Sequence, residues 1–447
     1  MTIKIYTIGG YSEVGKNMTA VEIDDDVILF DCGLFLPPIV ELENQEKVWD
    51  EKKLRNIDAV PNDLVLDKLG LRNKVRAILV SHAHLDHVGA LPYLAQRYKA
   101  EIIATPFTIE VLKSLLKDTG IRLKNEIKSL TPNSTYTIHG KSRDYQVEFL
   151  NITHSTLQTA LIALHTEKGV ILYANDFKFD NSPILGKRPN YKRLKELAKK
   201  GILCLIVDSL YSGEERKTPS EKIARGLLED VLLTTSNEES GIIVTTFSSH
   251  LARLKSIVDC SVQLGRKVVF VGRSLRRYVS AADKLKLVPF MSNVNNLISY
   301  RSEIEKVMRK VNKDRHEWVV VCTGHQGEPG SVLDRMTREK MPFKILRNDH
   351  VIFSSSIIPN PINVSNRKQV EKKLKERGAR IFTDVHVSGH CGREDLRDLI
   401  QMTQPEHIIP AHGNIQKLTP MAELATEMGY KLGKTVHLLQ DGQKLNL

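Results

Sequence analysis

The chain has little cysteine, few aromatic residues and no long apolar run. Its five cysteines are scattered over 447 residues without a Cys-x-x-Cys pair. This use of cysteine argues against a disulfide framework and a thiolate zinc site, and it predicts a reducing cytoplasm. No apolar stretch approaches the length of a membrane span, and the first residues lack the layout of a signal peptide. We therefore expect a cytoplasmic protein that makes no membrane contact.

The charge balance restricts the class of partner. The chain carries 65 Lys and Arg against 53 Asp and Glu, a formal net charge of +12. A basic excess favours a polyanion such as nucleic acid, because each neutralised phosphate releases counterions. The hydrophobic content of 41% is ordinary for a globular protein, and the length indicates two or three domains.

The alternation of apolar and polar residues divides the chain into regions of different secondary structure. The first two hundred residues are rich in short strands, expected at 2–8, 18–23, 27–30, 75–80, 101–104, 146–152, 159–165 and 169–174, with a helix at 106–116. The next region alternates helices with strands and predicts a parallel sheet flanked by helices, with helices at 220–233 and 251–263 and strands at 241–246, 267–271, 318–323 and 350–354. After residue 381 we expect another strand-rich stretch, ending in a strand at 436–439.

The most informative motif directly follows the strand expected at 75–80. It reads Ser81-His82-Ala83-His84-Leu85-Asp86-His87 and places three imidazoles and one carboxylate within six residues. Neutral imidazole and ionised carboxylate are the ligands of zinc-class ions, and one loop can present two of them to each of two adjacent ions. The alternative is a His-rich surface turn that binds no metal.

Further candidate ligands follow other expected strands. His154 comes after the strand at 146–152, Asp176 after that at 169–174, and His412 after the apolar segment Ile408-Ile409-Pro410-Ala411. A lone His after a strand is usually a structural or surface residue. Three such residues in addition to the His-rich loop favour a metal site over a surface turn.

These motifs resemble the metallo-β-lactamase superfamily, whose fold is an αββα sandwich. The resemblance implies two ligand sets joined by one bridge: His82, His84 and His154 for one ion, Asp86, His87 and His412 for the other, and Asp176 between them. It also implies that Asp31 orients the His-rich loop without touching metal. The expected cofactors are two Zn²⁺ per chain, with Mn²⁺ or Mg²⁺ as substitutes. Two such ions, about 4 Å apart, activate a shared water and neutralise charge on a phosphoryl oxygen.

A glycine-rich segment near the amino terminus needs a separate interpretation. Gly10 to Asn17 almost fits the phosphate-binding P-loop, with Asn17 where Ser or Thr belongs. That motif must open a helix, whereas the residues after Asn17 alternate as a strand. We interpret the segment as a turn near the active site.

The region between Asp176 and His412 resembles the β-CASP domain of nucleases. We expect a sandwich of α/β (α+β) class, split into residues 1–207 and 384–447, that encloses an α/β β-CASP insertion at 208–383. The resemblance implies that Asp208 orients His390, which then either donates a proton to the leaving 3′ oxygen or stabilises charge on the scissile phosphate. The catalytic set is His390, Asp208 and Asp86. A histidine at position 412 points to RNA rather than DNA in this group.

Over its whole length the chain is similar to the ribonuclease J family, in its short archaeal form. The supporting segments include Asp31-Cys32-Gly33-Leu34-Phe35, Thr245-Thr246-Phe247-Ser248-Ser249 and His386-Val387-Ser388-Gly389-His390. The resemblance implies a processive 5′-to-3′ exoribonuclease of RNA decay and maturation, acting on single-stranded RNA with a 5′-monophosphate, and a homodimer. The residues it implies for binding that phosphate are Ser248, Ser249, His386, Ser388 and Gly389. Phe35 is a candidate for stacking on a base, and a packing role is equally open.

Other functions remain open. A β-CASP endoribonuclease of RNA 3′-end processing shares every metal ligand, although its archaeal members usually carry amino-terminal KH domains that we do not find here. A non-catalytic RNA-binding scaffold would need a decayed site, which the intact ligand set argues against. A lactonase or thioesterase would leave the inserted region unexplained.

Overall fold

The computed structural model describes residues 1–42, 49–141, 143–358 and 361–447. Its strands are β1 (Ile3–Gly9), β2 (Met18–Ile23), β3 (Asp26–Phe30), β4 (Val75–Val80), β5 (Glu101–Ala104), β6 (Ile127–Ser129), β7 (Ser134–His139), β8 (Asp144–Asn151), β9 (Ala160–Thr166), β10 (Gly169–Ala174), β11 (Ile202–Asp208), β12 (Ile242–Thr245), β13 (Lys267–Val271), β14 (Val294–Ile298), β15 (Trp318–Cys322), β16 (His350–Phe353), β17 (Arg380–Phe382), β18 (His407–Ala411) and β19 (Lys444–Asn446).

The α-helices of the described residues are α1 (Leu36–Leu42), α2 (Glu51–Asn56), α3 (Leu64–Lys68), α4 (Leu85–Val88), α5 (Leu91–Leu94), α6 (Pro106–Thr119), α7 (Tyr191–Lys200), α8 (Glu221–Leu233), α9 (Leu251–Gln263), α10 (Arg273–Lys284), α11 (Arg301–Lys313), α12 (Val332–Thr337), α13 (Pro361–Glu376), α14 (Arg393–Thr403) and α15 (Ile415–Glu427). Short 3₁₀ turns cover Arg72–Lys74, Ala95–Arg97, Pro289–Asn293 and Arg315–Glu317.

Two mixed sheets form the centre of the molecule. The first runs in the order β19-β1-β2-β3-β4-β5-β6, and the second in the order β18-β11-β10-β9-β8-β7. Apolar side chains from the facing sides of both sheets form one buried core, which includes Phe30, Phe149, Tyr173 and Ile206. Complete burial of a side chain of this size contributes roughly 1.5–3 kcal/mol to stability. These apolar side chains are removed from water only when the two sheets stack, so their burial stabilises the sandwich.

Helices cover the outer side of each sheet. The second sheet packs against α7, α14 and α15 through a core that includes Leu205, Leu396 and Leu424. Buried side chains of α5 and α6 belong to the core on the other side of the first sheet. The order of layers is helix, sheet, sheet and helix, which is the predicted αββα sandwich.

Helix α6 shows how the sequence sets the local structure. Pro106 stands in its first turn, where a missing N–H costs nothing. Ile109, Val111, Leu112 and Leu115 lie on its buried face. The helix ends before Gly120, whose φ of 71° is a left-handed conformation that glycine adopts without strain. The helix therefore runs three residues beyond the predicted end at residue 116.

The region between β11 and β18 forms a third sheet. Its order is β14-β13-β15-β12-β16-β17, and all five pairings are parallel. Helices α11, α12 and α13 pack against one side of this sheet through a core that includes Val320 and Phe353. Because β11 and β18 are parallel neighbours in the second sheet, the chain leaves the sandwich and returns beside the point of departure. The exact boundaries at 207/208 and 383/384 stay predictions.

The prediction for the carboxy-terminal region was wrong. Residues after 381 form mainly helices α14 and α15, and 436–439 is not a strand. Val436 makes only isolated bridges, to Ile408 and Leu432, because this segment touches the edge of β18 at a single point. The last described strand is instead β19, which pairs with β1 at the edge of the first sheet.

Candidate dinuclear metal centre

The candidate ligands gather where strands of the two central sheets end. The His-rich loop leaves β4, and its second half forms the short helix α4 rather than a loop throughout. His154 lies beyond β8, Asp176 beyond β10 and His412 beyond β18. Because carboxyl ends of strands that run in one direction meet at the same edge of a sheet, residues remote in sequence come together here.

Three residues of this edge have an unusual backbone conformation. Asp31, Asp176 and His412 have φ values of 59°, 54° and 63°. Non-glycine residues at positive φ are uncommon, although Asp and His tolerate the left-handed region better than most. Such conformations cost free energy and cluster at functional sites. Asp31 and His412 directly follow β3 and β18, and Asp176 lies two residues beyond β10. The left-handed conformation turns the chain at each of these positions and directs the side chain towards the other candidate ligands.

One cluster contains His82, His84, His154 and Asp176, whose ligand atoms all lie within 4.8 Å of one another. Nδ1 of His84 lies 3.1 Å from Nε2 of His82 and 3.1 Å from Nε2 of His154. Oδ2 of Asp176 is 3.5 Å from Nε2 of His82 and 3.5 Å from that of His154. Three imidazole nitrogens and one carboxylate oxygen around a common point are a donor set that suits zinc.

A neighbouring cluster contains Asp86, His87, His412 and the same Asp176. Nε2 of His87 lies 3.3 Å from Oδ2 of Asp176 and 3.5 Å from Oδ2 of Asp86. Nε2 of His412 lies 3.7 Å from Oδ1 of Asp176. The two carboxylates give this cluster more negative charge than the first, which suits a divalent cation.

The carboxylate of Asp176 joins the two clusters. Its side chain is 2% exposed, and its Oδ1 is a buried atom for which the described residues supply no hydrogen-bond donor. A buried oxygen left without a partner costs roughly 1–3 kcal/mol. A cation on this side of the carboxylate removes that cost. The residues therefore fit a pair of divalent ions that share Asp176.

Hydrogen bonds to the ring nitrogens that face away from the candidate metal positions fix the orientation of the imidazoles. Asp31 is fully buried, and its Oδ2 accepts a hydrogen bond of 2.7 Å from Nδ1 of His87. It also accepts hydrogen bonds from the backbone N–H of Ser81 and the hydroxyl of Tyr173. With its proton on Nδ1, His87 directs the lone pair of Nε2 towards the metal position. Asp31 thus lies behind the candidate ligands, and its role in orienting them stays a prediction.

His154 and His412 are held in the same way. Nδ1 of His154 donates to the carbonyl of Gly389 at 2.7 Å, and Nδ1 of His412 donates to Oδ1 of Asn17 at 3.0 Å. The close approach of the first carbonyl requires glycine, because a Cβ on Gly389 would lie 2.7 Å from the Cβ of Ser155. Both ligands therefore present Nε2 to the centre.

Comparison with known proteins assigns this chain to a family. A model of the metallo-beta-lactamase superfamily matches residues 12–209, one described as "Ribonuclease J, beta-CASP domain" matches residues 239–374, and one described as "Zn-dependent metallo-hydrolase RNA specificity domain" matches residues 376–438. Ribonuclease J of Methanocaldococcus jannaschii is 43% identical over 100% of this chain and 99% of its own length. The chain belongs to the ribonuclease J family.

Other members of the family, and a solved structure, are similar over the whole chain. Ribonuclease J of Pyrococcus abyssi is 42% identical over 100% of this chain and 97% of its own length. Ribonuclease J of a Synechocystis strain is 29% identical over 100% of this chain but 66% of its own length. A crystal structure of a protein of unknown function from Enterococcus faecalis matches at 17% identity and a TM-score of 0.67, covering 100% of both chains. That structural likeness supports the fold alone.

Beside the metal clusters of this ribonuclease J family member lies the predicted pair of His390 and Asp208. Asp208 is the last residue of β11, and its Oδ2 lies 2.8 Å from Nδ1 of His390. Nε2 of His390 is 3.9 Å from Oδ2 of the bridging Asp176. Burial alone would lower the pKa of His390, but the carboxylates of Asp208 and Asp176 outweigh burial and raise it to about 9. The two carboxylates thus favour the protonated form of His390, which lies beside the candidate metal centre.

The ligand imidazoles fall into two electrostatic groups. Burial, followed by repulsion from neighbouring imidazoles, holds the pKa of His84 and of His154 well below the usual range, which keeps both in the neutral form that binds metal. Burial also opposes charge on His87, but Asp176 and Asp86 outweigh it and raise its pKa well above the usual range. Carboxylates that favour a proton on His87 also favour a divalent cation beside it.

The residues predicted to bind a 5′-phosphate have different surroundings. Ser249 Oγ lies 2.9 Å from Nε2 of the ligand His84, and Ser248 Oγ lies 2.9 Å from Ser274 Oγ. Ser388 Oγ accepts a hydrogen bond from the backbone N–H of His390 at 3.0 Å. The carbonyl of Gly389 holds His154, as described above. These residues border the metal clusters, and their role in phosphate binding stays a prediction.

The remaining two predicted site residues are His386 and Phe35. His386 is partly exposed, and its ring centroid is 6.1 Å from that of Phe247. Phe35 is partly exposed and packs against Gly15, since a Cβ on that glycine would lie 3.2 Å from the Phe35 ring. The contact with Gly15 supports packing by Phe35, while stacking on a base stays a prediction.

Sequence reasoning missed several residues that support the ligands. Asn17 accepts from His412 and donates to the carbonyl of Asp86 at 3.0 Å, and the hydroxyl of Tyr278 donates to the carbonyl of Ala83 at 3.1 Å. The position of the glycine-rich turn near the active site, inferred after the P-loop was rejected, is consistent with the role of Asn17. β2 follows that turn as a strand, so it opens no helix.

Proposed function

We propose that this chain is a zinc-dependent ribonuclease that degrades single-stranded RNA processively from its 5′ end and prefers a 5′-monophosphate. The observation that carries the proposal is the pair of His/Asp clusters sharing Asp176, with His390 held beside them by Asp208. Membership of the ribonuclease J family, and the match to an RNA specificity domain, support RNA as the substrate.

The donor set determines what each part of the site contributes. Zinc ions held by the two clusters would supply a nucleophile at neutral pH and would neutralise charge on the phosphoryl oxygens. His390 lies 3.9 Å from the carboxylate of Asp176 and donates a proton to the departing 3′ oxygen. Asp208 keeps its imidazole in one orientation and favours its charged form. Asp31 and Asn17 orient the ligands without contacting RNA.

The preference for a 5′ end follows from donors beside the metals. Ser249 reaches a metal ligand from the insertion, while Ser388 and His386 belong to the same return segment as His390. Hydroxyl and imidazole donors at a fixed distance from the ions suit a terminal monophosphate. A chain end bound there places the first phosphodiester at the ions, so that each cycle releases one nucleotide.

The test compares RNAs that differ only at the 5′ end. The purified protein with zinc is given one sequence carrying a 5′-monophosphate, 5′-triphosphate or 5′-hydroxyl, labelled at either terminus. We expect mononucleotides from the monophosphate RNA at a rate at least tenfold above the other two. Ser248→Ala should reduce that preference, whereas Ser292→Ala, an exposed serine of the turn Pro289–Asn293, should not.

A second candidate function is internal cleavage, as in 3′-end processing endonucleases of the same group. The shared ligand set favours it as much as exonuclease action. Internal fragments of equal yield from all three RNAs would favour this alternative and contradict the 5′-end preference.

Within the described residues, every helix is too short or too polar to cross a membrane. The cytoplasmic location and the homodimer stay predictions from the sequence. The identity of the ions as zinc is part of the proposal, and metal analysis of protein purified without added metal tests it.

A further inference from the structure

A buried charged network lies between the sandwich and the insertion, outside the metal clusters. Its centre is Arg253 on α9, which has 0% of its surface exposed. Glu221 at the start of α8 is 2% exposed and forms two hydrogen bonds with the guanidinium, of 2.5 and 2.9 Å. Burying an ion pair is costly unless its remaining donors find acceptors. The other partners of Arg253 therefore indicate what the pair does.

The free end of the guanidinium reaches two further segments. Nη1 of Arg253 lies 2.8 Å from Oγ and 2.9 Å from the carbonyl of Ser354, just beyond β16. It also lies 3.3 Å from the carbonyl of Val385 and 3.2 Å from Nδ1 of His386. One side chain thus joins α8, the end of β16 and the segment that returns the chain to the sandwich.

The contact with His386 decides the form of that imidazole. A guanidinium has donors and no acceptor, and it keeps its charge at any accessible pH. Nη1 shares its two hydrogens among Ser354, Val385 and His386, and a hydrogen bond to Nδ1 of His386 places the ring proton on Nε2. Burial, then the charge of Arg253, lower the pKa of His386 to about 2, so the ring stays neutral. Among the described residues we find no hydrogen-bond partner for Nε2, and the side chain is partly exposed.

We propose that Arg253 is a positioning residue that fixes His386 with its Nε2–H directed outwards as a donor to the RNA 5′-monophosphate. This inference rests on the proposed function, because it assigns a role within the phosphate site. Phe247 supports the placement, since its ring is near that of His386 and it directly precedes Ser248 and Ser249. Glu221 holds the guanidinium from the opposite side and offsets its charge.

A purely structural role for Arg253 predicts a different result. Its contacts with Ser354 and Val385 hold the insertion whatever the state of His386. Substitution would then lower stability and reduce all activities together. A positioning role instead weakens only the recognition of the 5′ end, and it does so through His386.

The experiment uses Arg253→Lys, which keeps the positive charge beside Glu221 but lacks the planar fork that reaches both Glu221 and His386. We expect KM for 5′-monophosphate RNA to rise about tenfold, as for loss of one oriented hydrogen bond, with kcat within twofold of wild type. Hydrolysis of bis(p-nitrophenyl) phosphate, which has no 5′ end to recognise, should stay unchanged. Arg266→Lys is the matched control, because Arg266 is buried in the same insertion and donates to carbonyls of Ser240 and Asn237.

A double-mutant cycle separates the two roles. His386→Gln alone should raise KM for the monophosphate RNA, and adding Arg253→Lys should raise it no further, because both changes remove the same donor. Additive effects of the two substitutions, or an equal loss of bis(p-nitrophenyl) phosphate hydrolysis, would overturn the proposal.

A measurement on the wild-type protein needs a variant only to assign the signal. In protein labelled with ¹⁵N-histidine, with His386→Gln used to assign the signal, we expect His386 to be neutral and protonated on Nε2 throughout pH 6–8. A proton on Nδ1 would overturn the positioning role even if the RNA assays support 5′-end recognition. If His386 is protonated on Nε2 but the wild-type protein shows no preference for 5′-monophosphate RNA, the result would instead contradict the proposed function.

Discussion

Replacement of Asp208 by Asn tests the electrostatic pairing at the centre of the proposed chemistry. The substitution keeps an oxygen beside Nδ1 of His390 and removes one negative charge at 2.8 Å. Burial lowers the pKa of His390, and Asp208, followed by Asp176 and Asp86, outweighs burial. Loss of the Asp208 charge should therefore bring the pKa down from about 9 towards the ordinary value of 6.5. The change corresponds to about 3 kcal/mol less stabilisation of the protonated ring.

The effect of Asp208→Asn on the cleavage rate depends on pH, because only the protonated form of His390 can donate a proton. A proton donor works only while it is protonated. At pH 8 a group with a pKa of about 9 is roughly 90% protonated, whereas one of pKa 6.5 is about 3% protonated. The variant should therefore be about 30-fold slower than wild type at pH 8. At pH 6 both forms are mostly protonated, and the rates should agree within about twofold.

The assay is single-turnover cleavage of labelled RNA from pH 5.5 to 9.5, with the metal content of both proteins measured. Ionisation of a metal-activated water affects both proteins alike, so the ratio of their rates isolates His390. A ratio that stays constant across this range would refute the role of His390 as a proton donor. Loss of metal from the variant would instead make Asp208 a ligand, since it lies in a cluster with Asp176 and His390.

Other substitutions and treatments separate the remaining roles. His84→Ala should lose bound metal and detectable cleavage, measured by elemental analysis and RNA digestion. His390→Ala should keep both metals but lower kcat by 100-fold or more, roughly the contribution of a general acid. Asn17→Ala should weaken metal affinity about 10–100-fold, seen by zinc titration, because His412 loses its orienting partner. Chelation should lower the melting temperature by scanning fluorimetry, and zinc should restore it, since bound ions stabilise only the folded state.

Each of these expectations has a result that contradicts it. Wild-type cleavage by His84→Ala with a full complement of zinc would remove that residue from the ligand set. Metal loss in His390→Ala would move His390 among the ligands. An unchanged zinc affinity in Asn17→Ala would show that its hydrogen bond to His412 does not orient the ring. A melting temperature insensitive to chelation would argue that the clusters hold no ion in the folded protein.

The sequence predicted the central elements well because local patterns define them. The strands at 18–23, 75–80, 101–104, 169–174 and 267–271 and the helix at 251–263 agree with the structure at both ends. Alternation or continuous branched residues mark such strands, and Gly265, with a φ of 69°, marks the end of the helix. The carboxy-terminal error has the opposite cause. Whether 436–439 pairs as a strand depends on a free neighbouring edge, which no local pattern records.

The sequence by itself determined the fold class and the set of candidate ligands. Imidazoles and carboxylates placed just after strands have a distinctive spacing, and the chemistry of zinc requires those residue types. The residue types and their spacing lie within short segments, so they can be recognised without knowledge of the tertiary packing.

Only the tertiary structure decided which groups hold those ligands in place. Asn17 meets His412 across 395 positions, and Ser249 meets His84 across 165. Arg253 meets His386 across 133. Asn, Ser and Arg are common on any surface, so their type alone gives no signal. Their roles arise because stacking two sheets and adding a third brings distant segments within hydrogen-bond distance, and burial then makes each unmatched donor or acceptor costly.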